Sequence, residues 1–240
     1  MSRVVLAGAA AAALLSACAQ NTAGTAETQS PAGASTTFPS STTSSTAARS
    51  PATSSEPAPD GLPAFGVLET TRRPLEPGEW TCEPPPPGPG TREASFSPPE
   101  PGAPQITIAL PETWTSAVSP DGAKLVMTGP DGLTGTLAVT PSGPDPAAAF
   151  EQYADQQTGQ APISSLSVLP ADLCGYSGQK MLGMLSGGGA PPVEYLNRIA
   201  HVWTAGPSYL VAIHVQGPQN GDGATAAAKV ILADFGIRIP

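Results

Sequence analysis

The chain has 240 residues with a formal net charge of −9, from 10 basic and 19 acidic side chains, and carries 30 Pro and 26 Gly. That balance excludes a nucleic-acid binder, which needs a basic face against phosphate, and a peripheral protein held by anionic lipid heads. No apolar run reaches the ~18–20 residues that span a bilayer, and 3 Cys with 2 His leave little material for a multi-ligand metal site or a bound cofactor.

Residues 1–17 read as a secretory signal. Met1-Ser2-Arg3 supplies one positive charge, Val4 to Leu15 is an uncharged apolar run, and small residues follow. The ending Leu15-Ser16-Ala17-Cys18 resembles the lipobox of bacterial lipoproteins. That resemblance implies a diacylglycerol on the Cys18 sulfur, cleavage just before it, and an anchor on the extracytoplasmic face of the cell membrane. Each buried CH₂ is worth ~0.8 kcal/mol, so two or three acyl chains hold stably. Loss of the signal removes Arg3 and no acid, which takes the formal charge from −9 to −10.

Residues 19–64 hold 18 Ser or Thr, 10 Ala and 6 Pro, with Phe38 and Leu62 as the only large apolar side chains. Such a stretch buries too little to offset its ordering entropy, so 18–64 reads as a lipidated Cys followed by a disordered tether. Its flexible-chain reach is roughly 40 Å. Residues 65–103 have more to bury, including Phe65, Trp80 and Phe96, yet Pro74–Pro104 contains 11 Pro in 31 residues. Proline removes backbone donors and fixes φ, which disfavours helix and central strand. The expectation is an extended arm on the domain surface. Plain linker is the alternative, and Pro84–Pro87 as a ligand for a proline-reading partner is another.

The folded unit is expected over 104–240. Gln105–Leu110 alternates and stops at Pro111; Lys124–Thr128 and Leu133–Thr140 flank Pro130-Asp131-Gly132, a hairpin signal. Asp145 caps a helix over 147–158, with Pro146 in its first turn and Gly159 at its end. Asp145, Glu151 and Asp155 then read as cap and solvated-face residues. Period two returns over 164–169, 178–185, 193–204 and 209–216, and 225–235 is helical. Opposing Val202 to Val211 puts Leu196, Ala200, Val202, Tyr209, Val211, Ile213 and Val215 on one face, to be covered by the helices. The sum is an α+β domain: a mostly antiparallel sheet of six to seven strands with two packed helices.

The lipobox and tether, with I-T-I-A-L-P-E-T-W, D-P-A-A-A-F, G-Y-S-G-Q, Y-L-V-A-I-H-V and F-G-I-R-I in this order, resemble the LpqN/LpqT-type lipoproteins of mycobacteria over about residues 104–240. The resemblance implies a Mog1/PsbP-like α/β/α sandwich, no catalytic residues to carry over, and a general association with envelope lipid handling. The proline arm and the remaining cysteines have no counterpart in that pattern.

With Cys18 lipidated, Cys82 and Cys174 are left as an even pair in a compartment that permits disulfides. Two free thiols are the alternative; no C-x-x-C suggests redox work. Candidate chemistry is sparse. Gly175-Tyr176-Ser177-Gly178 approximates a nucleophile elbow, but its second Gly comes one position early and a strand follows. In the register above, His201 and His214 share a face on adjacent strands, on a diagonal of ~7–8 Å. Gly187-Gly188-Gly189 lacks the G-K-[ST] of a phosphate loop and reads as a hairpin loop. The leading expectation is a non-enzymatic envelope lipoprotein that binds a partner protein or an apolar envelope molecule. Tyr195, Ile199, Trp203 and Leu210 form its candidate patch, on the less covered sheet face. A hydrolase using Ser177 or His201/His214, or a structural wall spacer, is the alternative.

Overall fold

The computed structural model describes residues 65–219 and 222–240; the signal, Cys18 and the tether lie outside the described residues. In chain order the elements are β1 (Trp80–Cys82), β2 (Thr91–Phe96), β3 (Gln105–Pro111), β4 (Thr115–Val118), β5 (Lys124–Thr128), β6 (Thr134–Ser142), α1 (Pro146–Thr158), β7 (Ile163–Pro170), β8 (Ser177–Gly187), β9 (Ala190–Trp203), β10 (Ser208–Pro218), α2 (Asp222–Ile231) and β11 (Gly236–Arg238). They build two antiparallel sheets, a seven-stranded one in the order β4-β5-β6-β10-β9-β8-β7 and a four-stranded one in the order β1-β11-β3-β2. The α+β, antiparallel class is as expected. The single helix-covered sheet is corrected to two sheets with one helix on each side of the larger one.

The face expected to be buried is the inner face. Val211, Ile213 and Val215 of β10 and Ala200 and Val202 of β9 join one core with Ile106, Ile108 and Leu110 of β3 and with Ala228, Ile231 and Leu232 at α2. Its cover is therefore the small sheet plus α2, not two helices. α1 lies on the outer face, over β7, β8 and β9. Asp145 Oδ1 accepts the Ala147 N–H at 2.9 Å, Pro146 takes the first turn, and Pro146, Phe150, Ala154 and Gln157 form the buried stripe. Phe150 and Ala154 pack on Met181, Ile199 and Leu210.

The arm over 65–103 is corrected from a surface appendage to part of the fold. β1 and β2 are the two edges of the small sheet, where strand neighbours rich in proline are tolerated because one side of the strand needs no donors. Pro84 and Trp80 press so closely on Gly236 that a Cβ there would lie 2.8 Å from Pro84 Cδ. The absence of a side chain at 236 is what lets β11 pass beneath them. β4 has no sequence signal of its own, since its four residues are too few for a period to register.

The β9–β10 register differs from the expected one by two residues: Tyr209 faces Val202, and Val211 faces Ala200. The cause is a tight turn. Thr204 N–H and Oγ1 both donate to Pro207 O, at 3.3 and 2.8 Å, and Thr204 Oγ1 accepts the Gly206 N–H at 3.1 Å. A two-residue shift preserves the faces, so burial survives while cross-strand neighbours change.

Candidate functional site: the cleft beside α1

α1 covers the β7–β9 part of the outer face and reaches Leu210 of β10, and beyond it the β6 side of that face stays open. The step between them is a cleft of about 410 Å³. Its floor is the cross-strand pair Ala138 and Ala212, with Thr140 opposite Leu210. Its wall is one flank of α1: exposed Gln152 and Gln156 with half-buried Ala149 and Tyr153. Small residues on the floor are what leave the space. Burial, with a lesser contribution from nearby Tyr195, pushes the Tyr153 phenol well above its ordinary range, so it stays a neutral hydroxyl. The cleft thus offers apolar carbon, a phenol and two primary amides, but no charge on its lining. Its volume falls in the range of small-molecule sites. No single motif marks this site; one alanine at an outer position of each of β6 (Ala138) and β10 (Ala212) is the nearest thing to a sequence signal.

A polar cluster follows along the same face. His214 Nδ1 lies 2.6 Å from Asn197 Oδ1, and Nε2 lies 3.1 Å from Gln216 Oε1. Tyr195 stacks on the imidazole with centroids 6.1 Å apart. Burial lowers the His214 pKa, and the Gln216 contact only partly opposes this. Asn197 is fully buried, and its Nδ2 has no partner.

The two histidines are not a pair. His201 faces Leu210 and His214 faces Asn197, so they stand four positions apart, about 13 Å along the strands. The two-residue register shift is the reason. His201 is buried, with Nε2 2.8 Å from Gly143 O, which makes Nε2–H the donor. Ser177 lies opposite His201 in the β8–β9 ladder, but its Oγ accepts the Leu68 N–H at 2.9 Å. Ser177 opens strand β8 and is buried, so no strand–turn–helix elbow presents it to solvent. Among the described residues no group of three or more His, Cys, Asp or Glu could hold a metal ion.

The patch of Tyr195, Ile199, Trp203 and Leu210 is corrected from exposed to buried; Trp203 and Leu210, the least covered of the four, are each 8% exposed. Ile199 and Leu210 lie under Phe150 and Ala154, with Val67 packed alongside. The Tyr195 hydroxyl donates to Ser165 O at 3.1 Å, and Trp203 packs against Tyr176 with centroids 5.5 Å apart. Helix α1 thus covers Ile199 and Leu210, while Trp203 joins the main core beside Tyr176.

Cys82 and Cys174 are bonded, with Cα atoms 5.6 Å apart. The bridge ties edge strand β1 of the small sheet to the β7–β8 connection of the large one. There Cys174 and Gly175 both have positive φ, 51° and 83°, as the centre of a type I′ turn between Leu173 and Tyr176.

The fold and cleft define an antiparallel α+β domain, braced by a disulfide, with an uncharged open groove. No family model matches the chain, and no curated protein does either. Among solved structures it is similar to LpqN, described as involved in cell envelope biogenesis of Mycobacterium tuberculosis. The TM-score is 0.47 at 21% identity, covering 62% of this chain and 92% of that one. A Bacteroides thetaiotaomicron structure overlaps at TM-score 0.30 and 13% identity, covering 54% of this chain and 44% of the other.

Proposed function

We propose that this is a lipid-anchored protein of the cell envelope, held by Cys18 on the extracytoplasmic side of the cell membrane. Its folded domain binds an apolar or amphiphilic envelope molecule in the cleft beside α1, without chemistry. The observation that carries the reading is the lining. Ala138, Ala212, Ala149 and Leu210 offer carbon to an apolar chain, while Tyr153, Gln152 and Gln156 can hydrogen-bond a neutral or anionic head. The cleft is open along one side, as suits an elongated ligand. The lipobox, the Ser/Thr/Pro tether and the Cys82–Cys174 bridge support an exported location. The engagement of both candidate catalytic side chains favours binding over turnover: Ser177 and His201 are each held by backbone.

The test is a native mass spectrum of the protein purified from its own membrane, with organic extraction in parallel. A stoichiometric co-purifying amphiphile, lost on filling the cleft, is the expected result. An acylated chain free of any such molecule would overturn the small-molecule reading and leave an envelope protein as the ligand. A mass without acyl chains on Cys18 would overturn the anchor.

A further inference from the structure

The seven-stranded sheet ends on two edges of different character. β4 is four residues long, and a short edge is one of the devices that prevent sheet-to-sheet pairing. β7 has eight residues, I-S-S-L-S-V-L-P, with no charge and no proline before its last position. Ile163 and Leu169 are 63% and 50% exposed, and neighbouring Leu182 is 39% exposed.

The direction of its free backbone groups follows from one hydrogen bond. Ala171 N–H donates to Gly178 O at 2.9 Å, and the register continues through Leu169↔Lys180 to Ile163↔Ser186. In an antiparallel ladder alternate residues point their N–H and C=O the same way. Residues 163, 165, 167 and 169 therefore turn theirs to β8, and Ser164, Leu166 and Val168 turn theirs to the open side. Pro162 and Pro170, which have no N–H, stand at equal distance on either side of Leu166. The usable part of the edge is thus centred on Leu166.

The residues repeat that symmetry. About Leu166, Ser165 answers Ser167, and Ile163 answers Leu169. We infer that β7 pairs with β7 of a second copy of this chain, antiparallel, around a two-fold axis at Leu166. Leu166 then faces the partner's Leu166, and Ser164 faces the partner's Val168, forming about six hydrogen bonds from all the free donors. On the inner face Ile163 meets the partner's Leu169, and Ser165 meets the partner's Ser167. The interface is isologous and closes at two copies, since among the described residues the other edge of the seven-stranded sheet is the four-residue β4. The helices do not obstruct it. α1 spans β7 to β10, so its centre lies at β8 or beyond, at least three strand spacings or about 14 Å from its symmetry mate, and a helix is ~10 Å across.

The test is sedimentation equilibrium of the full mature-length chain carrying Cys18→Ser, so that neither lipid nor detergent intervenes. A monomer–dimer equilibrium is expected. Ser165→Lys with Ser167→Lys changes two exposed side chains and sets lysine against lysine twice across the axis, which weakens association by roughly tenfold or more. Ser165→Lys with Ser167→Glu sets opposite charges together and retains the dimer. A chain monomeric at every concentration, a Lys/Lys variant that dimerises undiminished, or equal loss in both variants would each overturn the inference.

Discussion

Ser177 stands across the β8–β9 ladder from His201, and neither side chain is bonded to the other. The hydroxyl accepts from Leu68 N–H, and the imidazole donates to Gly143 O. Both groups fasten the fold: one holds the segment after Phe65 onto β8, the other holds the end of β6 onto β9. Ser177→Ala should lower stability by about 0.5–1.5 kcal/mol, the ordinary worth of the partly buried hydrogen bond from Leu68 N–H that it removes. Urea denaturation measures it. Ligand retention should not change, whereas a hydrolase would lose its activity.

The Cys82–Cys174 bridge closes a loop between residues 92 apart. In the chain-entropy model such a loop stabilises by ~4–5 kcal/mol, less any native strain. Replacing both cysteines by Ser should shift the denaturation midpoint accordingly. It should loosen β1 first, because that strand is three residues long and pairs only with β11. Hydrogen exchange at Trp80–Cys82 would report that loosening. Unchanged protection would mean that Pro84 and Trp80 packing on Gly236 suffices.

His214 gives the fold a pH dependence of known sign. Burial lowers its pKa in the folded state. An unfolded histidine titrates near 6.5. Below that value the unfolded chain takes up a proton that the folded chain resists, so stability falls as pH drops. His214→Gln should flatten the pH 7 to 5 portion of a thermal-stability profile. Glu79 and Asp121 are held below their ordinary range by Arg73 and Ser119, and act further into acid. The difference between wild type and variant therefore isolates the imidazole.

Filling the cleft should separate binding from folding. Ala212 lies on its floor against Ala138, half-buried. Ala212→Phe places a ring in open space, so stability should move by less than about 1 kcal/mol. Co-purifying ligand should fall by roughly tenfold, the effect of losing about 1.4 kcal/mol of binding. Quantitative extraction with a thermal melt on the same sample checks both. Full retention of ligand would place it elsewhere on the domain.

Much of the domain could be read along the chain. The Asp145 cap with Pro146, the alternation of Tyr209–Val215 and the pairing of the two cysteines left after Cys18 all rest on local chemistry or on counting. They determined element type, the buried parity of each strand and the presence of a bridge. What only the tertiary structure decided was what covers each face. Alternation tells that Ile199 and Val202 point opposite ways; it does not tell that α1 takes the first and the small sheet the second. Nor does it separate two registers that differ by two residues, since both bury the same side chains, and so the turn at Thr204–Pro207 settled which histidine faces what. The arm joins the fold because proline density forbids central strands but leaves edges open. β1 needed β11, whose partners lie 155–158 residues on, and β2 needed β3, whose partners lie 10–20 residues on. The cleft likewise belongs to no segment: it exists because one helix is narrower than the sheet it lies on.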